Sequence, residues 1–149
     1  MRPRDAQKSK VYTWESRTFY DRRSEAGWPT LSLGECSALI GRVCVPAPRL
    51  ADGRGKTRGS GGPSRISLPR HARYVEAVLH ECAHTLTLRR QQVGYPIAYH
   101  GPEFVSQYIA LLSRFAGYDR EALTLSAHRA GLRMLWHDEQ DAVQAAGAR

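Results

Sequence analysis

Residues 80–84 read His-Glu-Cys-Ala-His. On an α-helix His80 and His84 stand one turn apart on the same face, so both imidazoles can reach a single metal ion. Glu81 projects about 100° around the helix, out of line as a further ligand but near enough to touch a water held on the ion. The pattern supplies two zinc ligands and a general base. A catalytic zinc wants a third protein ligand. A close-packed His-Glu-x-x-His-x-x-Gly-x-x-His site would need Gly at 87 and His at 90, where the chain has Thr87 and Arg90, so that arrangement is excluded. His100 and Glu103, 16 and 19 residues after His84, are the remaining choices. Spacing does not decide between them, because three-His and two-His-plus-Glu sites both occur.

The neighbouring residues sort by chemistry. Tyr95 and Tyr99 flank His100 and could stabilise an oxyanion, or simply pack the loop. His71, His128 and His137 are read as surface or tail residues without a metal role. Cys82 falls on the apolar side of the helix and reads as a small buried hydrophobe. Trp14 and Trp28 are favoured as core over groove lining. Gly55-Lys56-Thr57 is not a phosphate-binding loop, since position 50 is Leu where such a loop needs Gly.

The elements that must position these residues follow from local signals. Residues 1–10 are polar and read as a loose N-terminus. Val11 to Tyr20, rich in aromatic and β-branched residues, could be a strand, although its period is ambiguous. Ser32-x-x-Glu35 is a capping box opening a helix with Cys36, Leu39, Ile40 and Val43 on one face, ended by Pro46 and Pro48. From Leu50 to Ser64 the chain reads as a mobile basic loop or hairpin, followed by a short strand at Ile66–Leu68 suited to a sheet edge. The metal helix is expected over about 72–90, a second from Gly101-Pro102 to Gly117, and a last one capped by Asp119 running to about Trp136. The tail, 137–149, reads as frayed. This is an α+β arrangement: one domain over 11–136, with a small sheet packed on the metal helix and two or three further helices.

Composition limits the function classes. The chain has 149 residues, 42% hydrophobic and 24% charged, as expected of a single globular domain. It has no apolar run of membrane-span length and no signal-peptide pattern, so a cytoplasmic protein with no membrane partner is expected. Three cysteines, Cys36, Cys44 and Cys82, make neither a disulfide framework nor a zinc ribbon. The net charge is +8, and the excess lies in residues 1–75, with 15 basic against 6 acidic residues. Such a half suits a polyanion, with Arg54, Lys56, Arg58 and Arg65 as candidate nucleic-acid contacts; the alternative is a solvated basic surface.

Taken together, His80-Glu81-x-x-His84 followed by His100-Gly101-Pro102-Glu103-Phe104 resembles the SprT-like zinc metalloproteases, whose Spartan-type members degrade proteins crosslinked to DNA. The resemblance covers about 50–116, and Gly55 to Leu68 looks like the family's glycine-rich turn and strand before the metal helix. It implies a minimal zincin-like domain and one Zn²⁺ held by His80, His84 and His100. Glu103 would then support the ligands or the helix N-terminus, and Phe104 would pack. The expected function is hydrolysis of peptide bonds in a protein or peptide substrate, with Glu81 as base and DNA as a further candidate partner. No Cys-rich DNA-binding ribbon is present, so the crosslink-repair role transfers weakly. A strand near Ile66–Leu68 could align an extended substrate by edge addition. Two other readings compete: a nucleic-acid-binding module with a structural zinc, and a zinc hydrolase of a non-protein amide. Oligomeric state is not legible.

Overall fold

The computed structural model describes residues 2–27, 30–91 and 96–135. Trp28, Tyr95, His137 and the rest of the tail lie outside them. The chain opens with α1 (Lys8–Glu15), passes through a π-helical turn (Ser16–Tyr20) into α2 (Asp21–Ala26), and continues with α3 (Leu33–Val43). Three short strands follow, β1 (Arg49–Ala51), β2 (Ser60–Gly61) and β3 (Arg65–Ser67). A 3₁₀ turn (Arg70–Ala72) leads into α4 (Val75–Arg89), α5 (Pro102–Ala116) and α6 (Arg120–Arg129). The architecture is α+β, and none of the helices is long and apolar enough to cross a membrane among the described residues.

Several boundaries match local chemistry. Ser32 and Glu35 form the reciprocal capping box at α3, whose buried residues are Cys36, Leu39, Ile40 and Val43. Pro102 occupies the first turn of α5, and Gly117 ends it in the left-handed conformation, φ +72°. Asp119 caps α6 by accepting from the Ala122 N–H at 2.7 Å.

Four expectations are corrected. Residues 11–20 are helical, not a strand: Val11, Trp14, Glu15 and Phe19 are the buried positions, close to a helical period. The aromatic and β-branched composition points to β, and the buried polar Glu15 masks the helical period of the apolar residues. Residues 1–10 are not merely a loose end; they contain the start of α1, and Asp5 and Gln7 are hydrogen-bonded to His100. The Ile66 strand is central, in the order β1–β3–β2, with Ile66 and Leu68 fully buried. It pairs parallel to β1 and antiparallel to β2, so β1 and β2 are the two edges, and the basic loop leads into a β2–β3 hairpin. Finally, the last helix stops at Arg129, where Ala130 caps it and Gly131 adopts φ +78°, a conformation other residues rarely take.

α4 is the centre of the molecule. It packs on α5, α3 and β2, and its residues from Val78 to Thr87 are all buried. β2 lies against it so closely that a Cβ on Gly61 would come within 2.4 Å of the Glu81 carbonyl oxygen. Only glycine permits that approach.

Candidate metal centre and adjoining cleft

α4 carries His80 and His84 one turn apart, and the loop before α5 brings in His100. All three are buried, His100 at 1% exposure, and one ligand atom from each lies within 4.8 Å of the others. Among the described residues this is the set of His, Cys, Asp and Glu close enough to hold a metal ion. Glu103 is not part of it; it sits half-buried in the first turn of α5, where a carboxylate favours the helix N-terminus.

Each ring is fixed from behind. His80 Nδ1 meets Glu15 Oε1 at 2.6 Å, and His100 Nδ1 meets Asp5 Oδ2 at 2.7 Å. The other Asp5 oxygen accepts the His100 backbone N–H at 3.1 Å, while Gln7 donates to the His100 carbonyl at 3.0 Å. His84 is stacked between Tyr99, 3.9 Å between ring centres, and Phe104 at 4.3 Å, with a backbone hydrogen bond to Tyr99. A carboxylate on Nδ1 selects the tautomer whose Nε2 lone pair is free, the form a metal needs. The Nε2 atoms of His80 and His84 are 3.1 Å apart, and the buried His100 Nε2 has no hydrogen-bond partner.

Electrostatics follow the packing. Burial and the charges of its two neighbours push His84 well below the usual histidine value. Burial also lowers His100, against the opposing pull of Asp5. For His80 burial works downward, but the Glu15 charge and hydrogen bond raise it overall. Burial pushes the Glu81 carboxyl up to about 7, close to the operating pH of a general base.

Glu81 and His80 form part of the wall of a cavity of about 320 Å³. Tyr12, Glu15 and Tyr20 enter it from the N-terminal helical segment, and Arg58 stands at its mouth with its guanidinium 4.3 Å above the Tyr12 ring. Tyr12 is also stacked on His80 and edge-on to His100. Sequence reasoning missed Asp5, Gln7, Tyr12 and Glu15; no local motif marks them.

Other expected residues fall elsewhere. The Tyr99 hydroxyl is engaged, donating to the Gly61 carbonyl at 2.5 Å, so it is not free for an oxyanion. Ile66 is interior to the sheet and cannot receive a substrate strand; the edge beside Glu81 is β2. Arg54 and Lys56 line a separate groove of about 760 Å³, Arg58 faces the cleft, and Arg65 pairs in register with Arg49. His71 and His128 are exposed, and His71 Nε2 donates to the Thr57 carbonyl at 2.8 Å. Trp14 is core, donating to Ser126 Oγ at 2.9 Å, and Cys82 is fully buried as a free thiol. Comparison of the chain with family models, with curated proteins and with solved structures finds no match in any of the three.

Proposed function

We propose that the protein is a zinc-dependent metallopeptidase of the SprT-like, zincin-like kind, with His80, His84 and His100 as ligands and Glu81 as general base. The observation that carries this reading is the convergence of three buried imidazoles, two of them held by carboxylates at Nδ1, beside Glu81 on a cavity wall. The 3.1 Å between His80 and His84 Nε2 is close to the roughly 3.3 Å that two nitrogens bound at about 2.0 Å around a tetrahedral ion require. Neutral imidazole nitrogens suit zinc, and three protein ligands are the set of a catalytic rather than a structural site.

When bound, the ion supplies Lewis acidity and makes a water far more acidic than in bulk. Glu81 takes the proton from the attacking water and passes it to the amine nitrogen as the peptide C–N bond breaks. Arg58 and the Tyr12 hydroxyl, which line the same cavity as Glu81, are the groups to meet the charge that develops on the carbonyl oxygen, since the Tyr99 hydroxyl is bonded to Gly61. An extended substrate would align beside Glu81 along the β2 edge, where the Gly61 carbonyl is already taken by Tyr99.

A nucleic-acid partner is a secondary reading. It is supported by the groove where Arg54, Lys56 and Arg70 are exposed, although Arg73 there is already paired with Asp52 at 2.6 Å. DNA affinity that falls steeply with salt, and weakens in Arg54→Ala with Lys56→Ala, would support it. The main reading is tested by zinc loading followed by digestion of an unfolded protein. Wild type cleaves it, and chelation stops cleavage; a zinc-loaded chain that cleaves no better than Glu81→Gln overturns the proposal.

A further inference from the structure

We propose that the cavity beside Glu81 seats an uncharged aromatic side chain of a peptide substrate, next to the bond that is cut. This rests on the hydrolase reading and adds the substrate class to it. The cavity, about 320 Å³, is larger than one aromatic side chain and shares its wall with His80 and Glu81. Three phenol rings surround it: Tyr12 and Tyr20 from the N-terminal helical segment and Tyr74 at the start of α4. Ala72 and Ala77 also line it, with Ser16 and Thr57 as its small polar residues. Their short side chains leave the space clear.

Charge narrows the occupant further. A carboxylate entering the cavity would face the buried side chains of Glu15 and Glu81. An ammonium or guanidinium would have to pass Arg58, which covers the Tyr12 face, and would find the Glu15 carboxylate already engaged by His80. A neutral ring meets neither penalty, and it can pack edge-to-face or offset against the tyrosines. The π-helical turn at Ser16–Tyr20 contributes by placing Tyr20 on the same side as Tyr12, so that both reach the cavity.

The test uses zinc-loaded Glu81→Gln and fluorescein-labelled octapeptides identical except for one central residue, Phe, Ala, Lys or Glu, with binding read by anisotropy. The Phe peptide should bind at least about tenfold more tightly than the other three. Ala77→Leu fills the cavity and should erase that advantage while metal content and melting temperature hold; Ala72→Leu, from the 3₁₀ turn before α4, gives the same reading if Ala77→Leu does not fold. Arg58→Glu should lift the Lys peptide above the Ala peptide. Lys or Glu peptides binding as well as Phe, or a Phe advantage that survives both filling variants, overturns the proposal. Cleavage by wild type at sites lacking any aromatic residue also overturns it and leaves the hydrolase reading standing. Selective binding of Phe together with no Glu81-dependent cleavage supports the seat and overturns the hydrolase reading instead.

Discussion

α4 carries two buried polar clusters one turn apart, and they are built on opposite plans. At Glu76, which is fully buried, one carboxylate oxygen receives Arg23 at 2.5 Å and the Tyr118 hydroxyl at 2.6 Å, while Tyr108 donates to the Glu76 carbonyl at 3.0 Å. Charge meets charge inside the protein. At His80 the carboxylates sit behind the rings, and three nitrogens face one another instead of protein donors. Glu76 also leaves one oxygen without a hydrogen bond, but that atom is isolated, whereas the bare His100 Nε2 has two imidazoles beside it. Burying polar groups alone does not mark a ligand site. Convergent lone pairs, oriented from behind and lacking a donor, do.

The sharpest way to separate the clusters is through activity. Glu81→Gln should lower hydrolysis by about 10²–10⁴-fold with metal content unchanged, measured by peptide cleavage and metal analysis. The same base sets the acid limb of the pH profile. Glu81 must be ionised to work, so the rate rises with pH; burial places this near 7 and a nearby dication draws it lower, so the limb lies at or below 7.

Stability should divide the other way. Arg23→Ala strands the Glu76 charge in the core and should cost about 3–5 kcal/mol in urea unfolding, with no recovery on adding zinc. Stripping the metal with a chelator should lower the melting temperature of wild type, since free metal at about 1,000 times its Kd contributes about 4 kcal/mol. His100→Ala should abolish that difference. Asp5→Asn and Glu15→Gln act through the tautomer, basicity and orientation of the rings and should weaken metal affinity by about 10–100-fold in a competition titration. The smallest effect belongs to neither cluster: Asp119→Ala should cost about 1 kcal/mol by removing the α6 cap and leave metal affinity unchanged.

The two clusters also differ in how far the sequence discloses them. His80, Glu81 and His84 are legible because a helical turn converts spacing directly into geometry, and the capping box and Gly117 set their helices in the same local way. His100 over Glu103 was not fixed by spacing. Asp5 and Glu15 are invisible in a linear reading because their partners lie 95 and 65 residues away. The Glu76 network is equally distant, with Arg23 separated by 53 residues and Tyr118 by 42. Missing α1 removed both sets at once, since the segment read as a strand supplies Glu15 directly and leads into Arg23. The centrality of Ile66 was likewise hidden: which strand is central depends on a parallel partner, β1, that no turn signal announces.

The π-helical turn between Glu15 and Arg23 sets the phase between these two anchor points. Glu15 engages His80 and Arg23 engages Glu76, so the N-terminal helices and α4 mesh at two teeth running in opposite chain directions. A π turn holds one residue more than an α turn over nearly the same rotation, so losing one residue from 16–20 would leave an α turn and keep Arg23 in phase with Glu76. A further residue gained there has no such turn to absorb it: Glu15 would keep its imidazole while Arg23 swung about 100° away from its carboxylate, uncoupling the structural anchor from the chemical one.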